Sequence, residues 1–272
     1  MSVKLKETCI LDDRDKFARL FGLIAVRAGQ AIMRVHKTGT SEQMKADGSP
    51  VTAADLEADE IIRHCLERNL PELAVITEET CNEASFVDTE RFILVDPLDG
   101  TKEFIQGTAE FTVNIALIEH KKPVAGAVYA PALRRLYVGG SNAYRLEVAE
   151  HDADPSFSGL HPIEVRRSPA AGWRVVVSRS HLDGATRQWI ERHAVSELKP
   201  SGSSLKFCAV AEGEADVYPR LAPTMEWDTA AGHAVLLAAG GCVTDLGGQP
   251  MQYGKPGFRN GDFIAWGAAQ GY

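Results

Sequence analysis

The stretch Arg91–Phe104, RFILVDPLDGTKEF, decides how this chain is read. It begins as a short apolar run of strand-forming residues and turns into Asp-Pro-Leu-Asp-Gly-Thr, where acids alternate with turn formers. A buried strand therefore delivers two carboxylates, Asp96 and Asp99, at its end. A D-P-x-D-G string also describes an ordinary surface turn; the FILV run ahead of it favours a site presented from a sheet.

Upstream, LAVITEE repeats the pattern and ends in Glu78 and Glu79. Alone these acids would read as a solvated loop, but two strands that both finish in acids can meet in space. Downstream, EWDTAAGH puts Asp228 at the start of a nearly all-apolar helix, where a carboxylate also suits the helix dipole as a cap. Trp227 beside it reads as packing. Glu78, Asp96, Asp99 and Asp228 together form an all-oxygen donor set for a hard divalent cation, and Asp96 could bridge two. The net charge of −8 argues against a nucleic-acid polymer as partner. It also means that an acidic pocket could hold phosphate only if bound cations reversed its local sign. If the acids converge, metal-dependent phosphatase chemistry is expected.

Helical spacing adds one more acid. From Asp12, Phe17, Leu20, Phe21, Ile24, Ala28 and Ile32 form the stripe of a long amphipathic scaffold helix, broken by KTGTSEQMKADGSP. A second helix should start near Thr52, which can cap it. Counting from Asp55 reaches Ala58, Ile62, Cys65 and Leu66, so Asp55 turns inward and needs a partner.

FTVNIALIEH, PVAGAVYAP, LRRLYVGG and AYRLEV then read as an antiparallel meander. The Asp-, Ser-, Pro- and Gly-rich stretch Ala149–His161 marks a boundary, beyond which strand and helix alternate. The expected organisation is an α+β half over residues 1–158 and an α/β half over 159–272. In the second half, Gly202, Ser203 and Ser204 precede a helix whose first N–H groups could hold an anion, or Ser203 could be a plain N-cap. Ser178, Arg179, Ser180 and His181 end a strand with hydroxyl, guanidinium and imidazole groups, although a strand-to-helix loop would look the same.

A composition of 44% hydrophobic and 24% charged residues excludes disorder as the default. Five cysteines, at 9, 65, 81, 208 and 242, form no CxxC pair, and four of them read as small buried residues; a reducing cytoplasm is expected. No signal-peptide core and no apolar run long enough to span a membrane is visible.

Taken together, KADGSPVTAAD (Lys45–Asp55), TEE (Thr77–Glu79), DPLDGTKEFIQGTAEFTVNIALIE (Asp96–Glu119) and WDTAAGHAV (Trp227–Val235) resemble the lithium-sensitive, magnesium-dependent inositol monophosphatase superfamily. Within it, the GTKEF extension, EFTVNIAL, SRSH, GSSLKF and YPR look most like the CysQ type of 3'(2'),5'-bisphosphate nucleotidase. The resemblance spans most of the chain; the first dozen residues lie outside it, and TEE stands where SEE is expected. It implies a layered αβαβα sandwich of the sugar-phosphatase type, α+β in one half and α/β in the other. It implies one Mg2+ on Glu78, Asp96 and the Leu98 carbonyl, a second on Asp96, Asp99 and Asp228, and a weaker third near Glu78. Asp55 and Thr101 resemble the pair that orients and deprotonates water, and Gly100 and Thr101 the phosphate donors. Ser178–His181, Gly202–Ser204, Lys206 and Arg220 are implied to face a small nucleotide bisphosphate. The activity implied is release of the 3'-phosphate of 3'-phosphoadenosine 5'-phosphate in sulfate assimilation. The expected compartment is the cytoplasm, with room for contact with the inner membrane surface and for a homodimer.

Overall fold

The computed structural model describes residues 13–38, 43–44, 50–81, 87–167, 171–180 and 182–268. Helix α1 (Asp13–Thr38) starts with Asp13 and Asp15 and ends with His36 and Lys37, charges that suit its dipole. Phe21, Ile24, Ala28 and Ile32 of its stripe are fully buried. A two-residue ladder of β1 (Gln43–Met44) and β2 (Pro50–Val51) leads to α2 (Ala53–Asn69). Thr52 caps α2: its Oγ1 accepts from the Ala54 N–H at 3.1 Å, while Asp55 Oδ2 accepts from the Thr52 N–H at 2.7 Å.

The chain continues through β3 (Ala74–Thr77), β4 (Arg91–Asp99) and the short α3 (Thr101–Ile105). The meander is β5 (Thr112–Glu119), β6 (Lys122–Ala130), β7 (Arg135–Gly139) and β8 (Ala143–Glu147), with β9 (His161–Pro162) at its edge. These strands form one seven-stranded sheet in sequence order, in which β3 runs parallel to β4 and the other neighbours are antiparallel. Then come β10 (Trp173–Ser178), α4 (Gly184–Glu191), β11 (Val195–Ser201), α5 (Leu205–Ala211), β12 (Val217–Arg220) and β13 (Thr224–Met225). Helix α6 (Glu226–Ala238), β14 (Cys242–Thr244), β15 (Arg259–Asn260) and β16 (Phe263–Trp266) complete the fold. A second sheet has the order β11-β10-β12-β16-β14.

Helices α1 and α2 cover one face of the large sheet, α5 and α6 fill the space between the sheets, and α4 lies on the outer face of the second sheet. The result is a five-layer αβαβα sandwich. FILV reads as an unbroken apolar run because β4 is buried on both faces: Ile93 and Val95 face α1 and α2, whereas Phe92 and Leu94 face α6. Helix α6 lies very close to the sheet, since a Cβ on Gly126 would stand 2.8 Å from Ala234 Cβ and one on Gly139 would stand 2.6 Å from Val235 Cα.

Two features depart from expectation. The proline of DPLDGT does not end the strand; it lies in a bulge within β4, which runs on to Asp99. Strands β14 to β16, after α6, had no counterpart in the sequence reading, because runs of two to four residues are too short to show a period.

Candidate active site

In a regular strand Asp96 and Leu98 would share a face and Asp99 would point the other way. In β4, Asp96 pairs with Asn114 and Asp99 with Thr112, so three steps on β4 match two on β5. That extra residue returns Asp99 to the face of Asp96. Proline, which has no N–H to lose from the ladder, suits the bulge, and the Leu98 N–H turns back to Asp96 Oδ1 at 3.0 Å. Gly100 then reverses the chain with φ of 93°, a conformation open to glycine, with Glu110 O only 3.1 Å from where a Cβ would sit.

Glu78 arrives from the neighbouring strand, where its N–H donates to Val95 O at 3.1 Å and extends the β3–β4 pairing. Asp228 stands in the first turn of α6 and its Oδ2 accepts from the Met225 N–H at 2.8 Å, so it caps its own helix as well as facing the site. Asp55, almost fully buried, finds the partners its inward position required. Its Oδ2 accepts from Thr52, and its Oδ1 accepts from Thr101 Oγ1 at 3.1 Å. The Thr101 hydroxyl also lies 3.2 Å from the Leu98 carbonyl.

These elements meet at a cavity of about 330 Å³. Glu78, Asp96, Leu98, Asp99, Gly100, Thr101 and Asp228 line one side, and Ser178, Ser203, Lys206 and Arg220 come from the second half. Larger hollows, of about 500 Å³ against α1 and about 610 Å³ near Glu90, gather no comparable set. Arg179, Ser180, Gly202 and Ser204 do not line the cavity. Arg179 forks onto Glu110, Ser180 donates to Glu103 at 2.6 Å, and the Gly202 N–H donates to Glu110 Oε2 at 2.9 Å. Ser204 Oγ lies 3.0 Å from Asp99 Oδ2 and 2.9 Å from the Asp228 carbonyl. The N–H groups expected to be open to an anion are thus partly committed, with the Ser204 N–H given to Ser203 Oγ at 2.6 Å. His181 and Lys45–Ser49 lie outside the described residues. Sequence reasoning missed Glu103, Phe207, Tyr218, Thr224 and Thr229 as lining residues, because no local spacing links them to the acids.

The site is electrostatically strained. Burial, then Glu78, Asp99, Asp228 and Asp55, push the Asp96 carboxyl well above the usual range. Burial, then Asp99 and Glu78, do the same to Asp228. Burial also raises Asp55, against the hydrogen bonds from Thr52 and Thr101. On the opposite wall, burial pulls Lys206 down to about 8. Among the described residues no three Asp, Glu, His or Cys side chains stand as a ready-made coordination group; Asp99 Oδ2 accepts from Ser204 Oγ and Asp228 Oδ2 from the Met225 N–H. The donor chemistry nevertheless fits a hard cation, being all oxygen and short of positive charge. Asn114, opposite Asp96 across the β4–β5 ladder, keeps a buried amide nitrogen with no hydrogen-bond partner.

The model of the inositol monophosphatase family matches residues 13–270. The chain belongs to that family. It is 45% identical over 249 residues to the 3'(2'),5'-bisphosphate nucleotidase CysQ of Escherichia coli strain K12, covering 87% of this chain and 96% of that protein. The CysQ nucleotidase of Buchnera aphidicola is 38% identical over 249 residues, 89% of this chain and 90% of its own. Among solved structures, CysQ from Bacteroides thetaiotaomicron, described as a bacterial member of the family, superposes with a TM-score of 0.79 at 37% identity, covering 94% of this chain and 98% of that one. The five-layer sandwich is therefore the inositol monophosphatase family's fold, and no helix among the described residues is long and apolar enough to cross a membrane.

Proposed function

We propose that this chain is a magnesium-dependent 3'(2'),5'-bisphosphate nucleotidase that hydrolyses 3'-phosphoadenosine 5'-phosphate to AMP and phosphate in sulfur assimilation. The observation that carries the proposal is the convergence of acids from β3, β4 and α6 on one cavity, beside the Thr101–Asp55 pair, in a chain 45% identical to nucleotidases of that name. Glu78, Asp96, Asp99, Asp228 and the Leu98 carbonyl would hold two Mg2+ ions, with a weaker third near Glu78. When bound, the ions supply Lewis-acid charge that offsets the negative charge developing on the phosphoryl group and the departing ribose oxygen.

The protein's own part is positioning and proton handling. Thr101 Oγ1, donating its proton to Asp55, leaves its lone pairs to accept one from an attacking water. The burial that raises the affinity of Asp55 for a proton makes it a better acceptor than a solvated aspartate. The backbone N–H groups of Gly100 and Thr101 hold the reacting phosphate, and Ser178, Ser203, Lys206 and Arg220 face the rest of the nucleotide with its second phosphate. The fixed dipoles and cations need little rearrangement as charge develops.

The test is phosphate release from 3'-phosphoadenosine 5'-phosphate and from inositol 1-phosphate, with magnesium, with chelator and with added lithium. Turnover of the nucleotide that needs magnesium and is inhibited by lithium is expected. Faster turnover of the inositol ester would make the chain an inositol or sugar monophosphatase, and no turnover of either would make it a nucleotide sensor.

A further inference from the structure

The α3–β5 connection, residues 106–111, carries an acid that the chemistry above does not use. Glu110 stands just ahead of β5, two residues before Thr112, the partner of Asp99 across the sheet. Its carboxylate leaves its own half of the molecule and engages the other. Oε2 accepts from Arg179 Nε at 2.7 Å and from the Gly202 N–H at 2.9 Å, and Oε1 accepts from an Arg179 terminal nitrogen at 2.8 Å. The same guanidinium nitrogen donates to the Pro200 carbonyl at 3.1 Å. Arg179 follows β10, and Pro200 and Gly202 lie at the end of β11, so one carboxylate ties the ends of two neighbouring strands to the first sheet. Gly202 is shaped for the contact: a Cβ there would stand 2.9 Å from Glu110 Cβ.

The turn gripped in this way leads straight to the acids. Ser203, held at a left-handed φ of 52°, hydrogen-bonds through its hydroxyl with Thr112 Oγ1. Ser204 sets its hydroxyl against Asp99 Oδ2 and the Asp228 carbonyl. A physical chain thus runs from Glu110 and Arg179, through the Gly202–Ser204 turn, to the Asp99 carboxylate in one half and the Asp228 backbone carbonyl in the other.

We propose that Glu110 and Arg179 form a latch between the two halves of the molecule, a pair of positioning residues whose grip on the Gly202–Ser204 turn sets the spacing of Asp99 and Asp228. The proposal rests on the reading of those acids as cation ligands. Arg179 is 47% exposed and Glu110 22%, so solvent screens part of what the pair contributes to folding. Its value is geometric: a bidentate fork fixes both distance and angle.

The test uses the full chain with Glu110→Gln, Arg179→Gln and the double variant, measured three ways: Mg2+ binding by titration calorimetry without substrate, kcat and KM for phosphate release, and thermal melting. A latch predicts that each single variant weakens Mg2+ binding and lowers kcat by about tenfold, leaves KM within about twofold, and that the double variant is no worse than either single one. If Glu110→Gln does not fold, Arg179→Lys, which keeps the charge and loses the fork, carries the same expectation at smaller size. The opposite pattern, in which Arg179→Gln raises KM while Glu110→Gln changes nothing and Mg2+ binding is unaltered, would make Arg179 a substrate ligand and overturn the latch. Calorimetry keeps the two readings apart. A wild-type chain that binds Mg2+ but releases no phosphate defeats the nucleotidase proposal and leaves the latch to be judged on Mg2+ binding.

Discussion

Replacing Gly139 by alanine tests whether the distance of α6 from the sheet sets the site. The added Cβ would stand 2.6 Å from Val235 Cα, 2.8 Å from the Ala234 carbonyl and 2.9 Å from the Val235 nitrogen, all of them backbone atoms. Ordinary contact begins at 3.4 Å, so helix and strand must part by about 0.8 Å at this point. No flexible side chain can absorb the clash. Overpacking of this kind costs about 1–3 kcal/mol, and melting should fall by about 2–4 °C for each kcal/mol in a chain of this size. Val235 lies seven residues along α6 from Asp228, about 10 Å of helix, so a helix that moves as a rigid rod carries Asp228 with it. A displacement near 1 Å at a catalytic group can cost about 100-fold in rate. The expected outcome is a lower melting temperature together with a drop in kcat of about ten- to a hundredfold, assayed by phosphate release well below the melting point. Wild-type melting would refute the close approach of α6; lowered melting with wild-type kcat would refute the link between helix height and site.

Three further outcomes follow from the same geometry. Thr101→Val removes the hydroxyl between Asp55 and the cavity and should lower kcat about 100-fold with little change in KM; steady-state kinetics that show a pure KM effect would remove Thr101 from proton transfer. Lys206, which burial brings down to about 8, should lose its charge as pH rises through that value, so kcat/KM falls on the alkaline side in the wild type and runs flat in Lys206→Met. His233 lies fully buried 3.0 Å from the Tyr253 hydroxyl, and burial lowers it to about 3. The unfolded chain binds this proton below about 6.5 and the folded one does not, so stability is whole above that value and is lost on acidification towards about 3. The slope contributed is up to about 1.4 kcal/mol per pH unit, and urea titrations of His233→Gln between pH 6 and 4 should be shallower than wild type by that amount.

Much of the site was visible in the sequence because its acids follow local rules. Asp96 and Asp99 end an apolar strand, Glu78 ends its neighbour, Asp228 opens a helix, and helical counting turned Asp55 inward without any knowledge of Thr101. Strand, cap and helix face are properties of a few consecutive residues. Contacts fixed by the meeting of distant segments were not visible. Nothing near Glu110 announces Arg179 or Gly202, and nothing near Glu103 announces Ser180, since each pair joins separate halves of the chain. Arg179 and Gly202 are expected from the sequence to face substrate, and the structure shows both hydrogen-bonded to Glu110.

By itself the sequence determined the layered α and β composition, the meander and the set of oxygen donors in DPLDGT, because apolar periodicity, turn chemistry and residue type act over short range. Only the tertiary structure decided that DPLDGT is a bulge and not a turn at the end of a strand. The pairing of β4 with β5 places one more residue on β4 than on β5, and that extra residue swings Asp99 round to the face of Asp96.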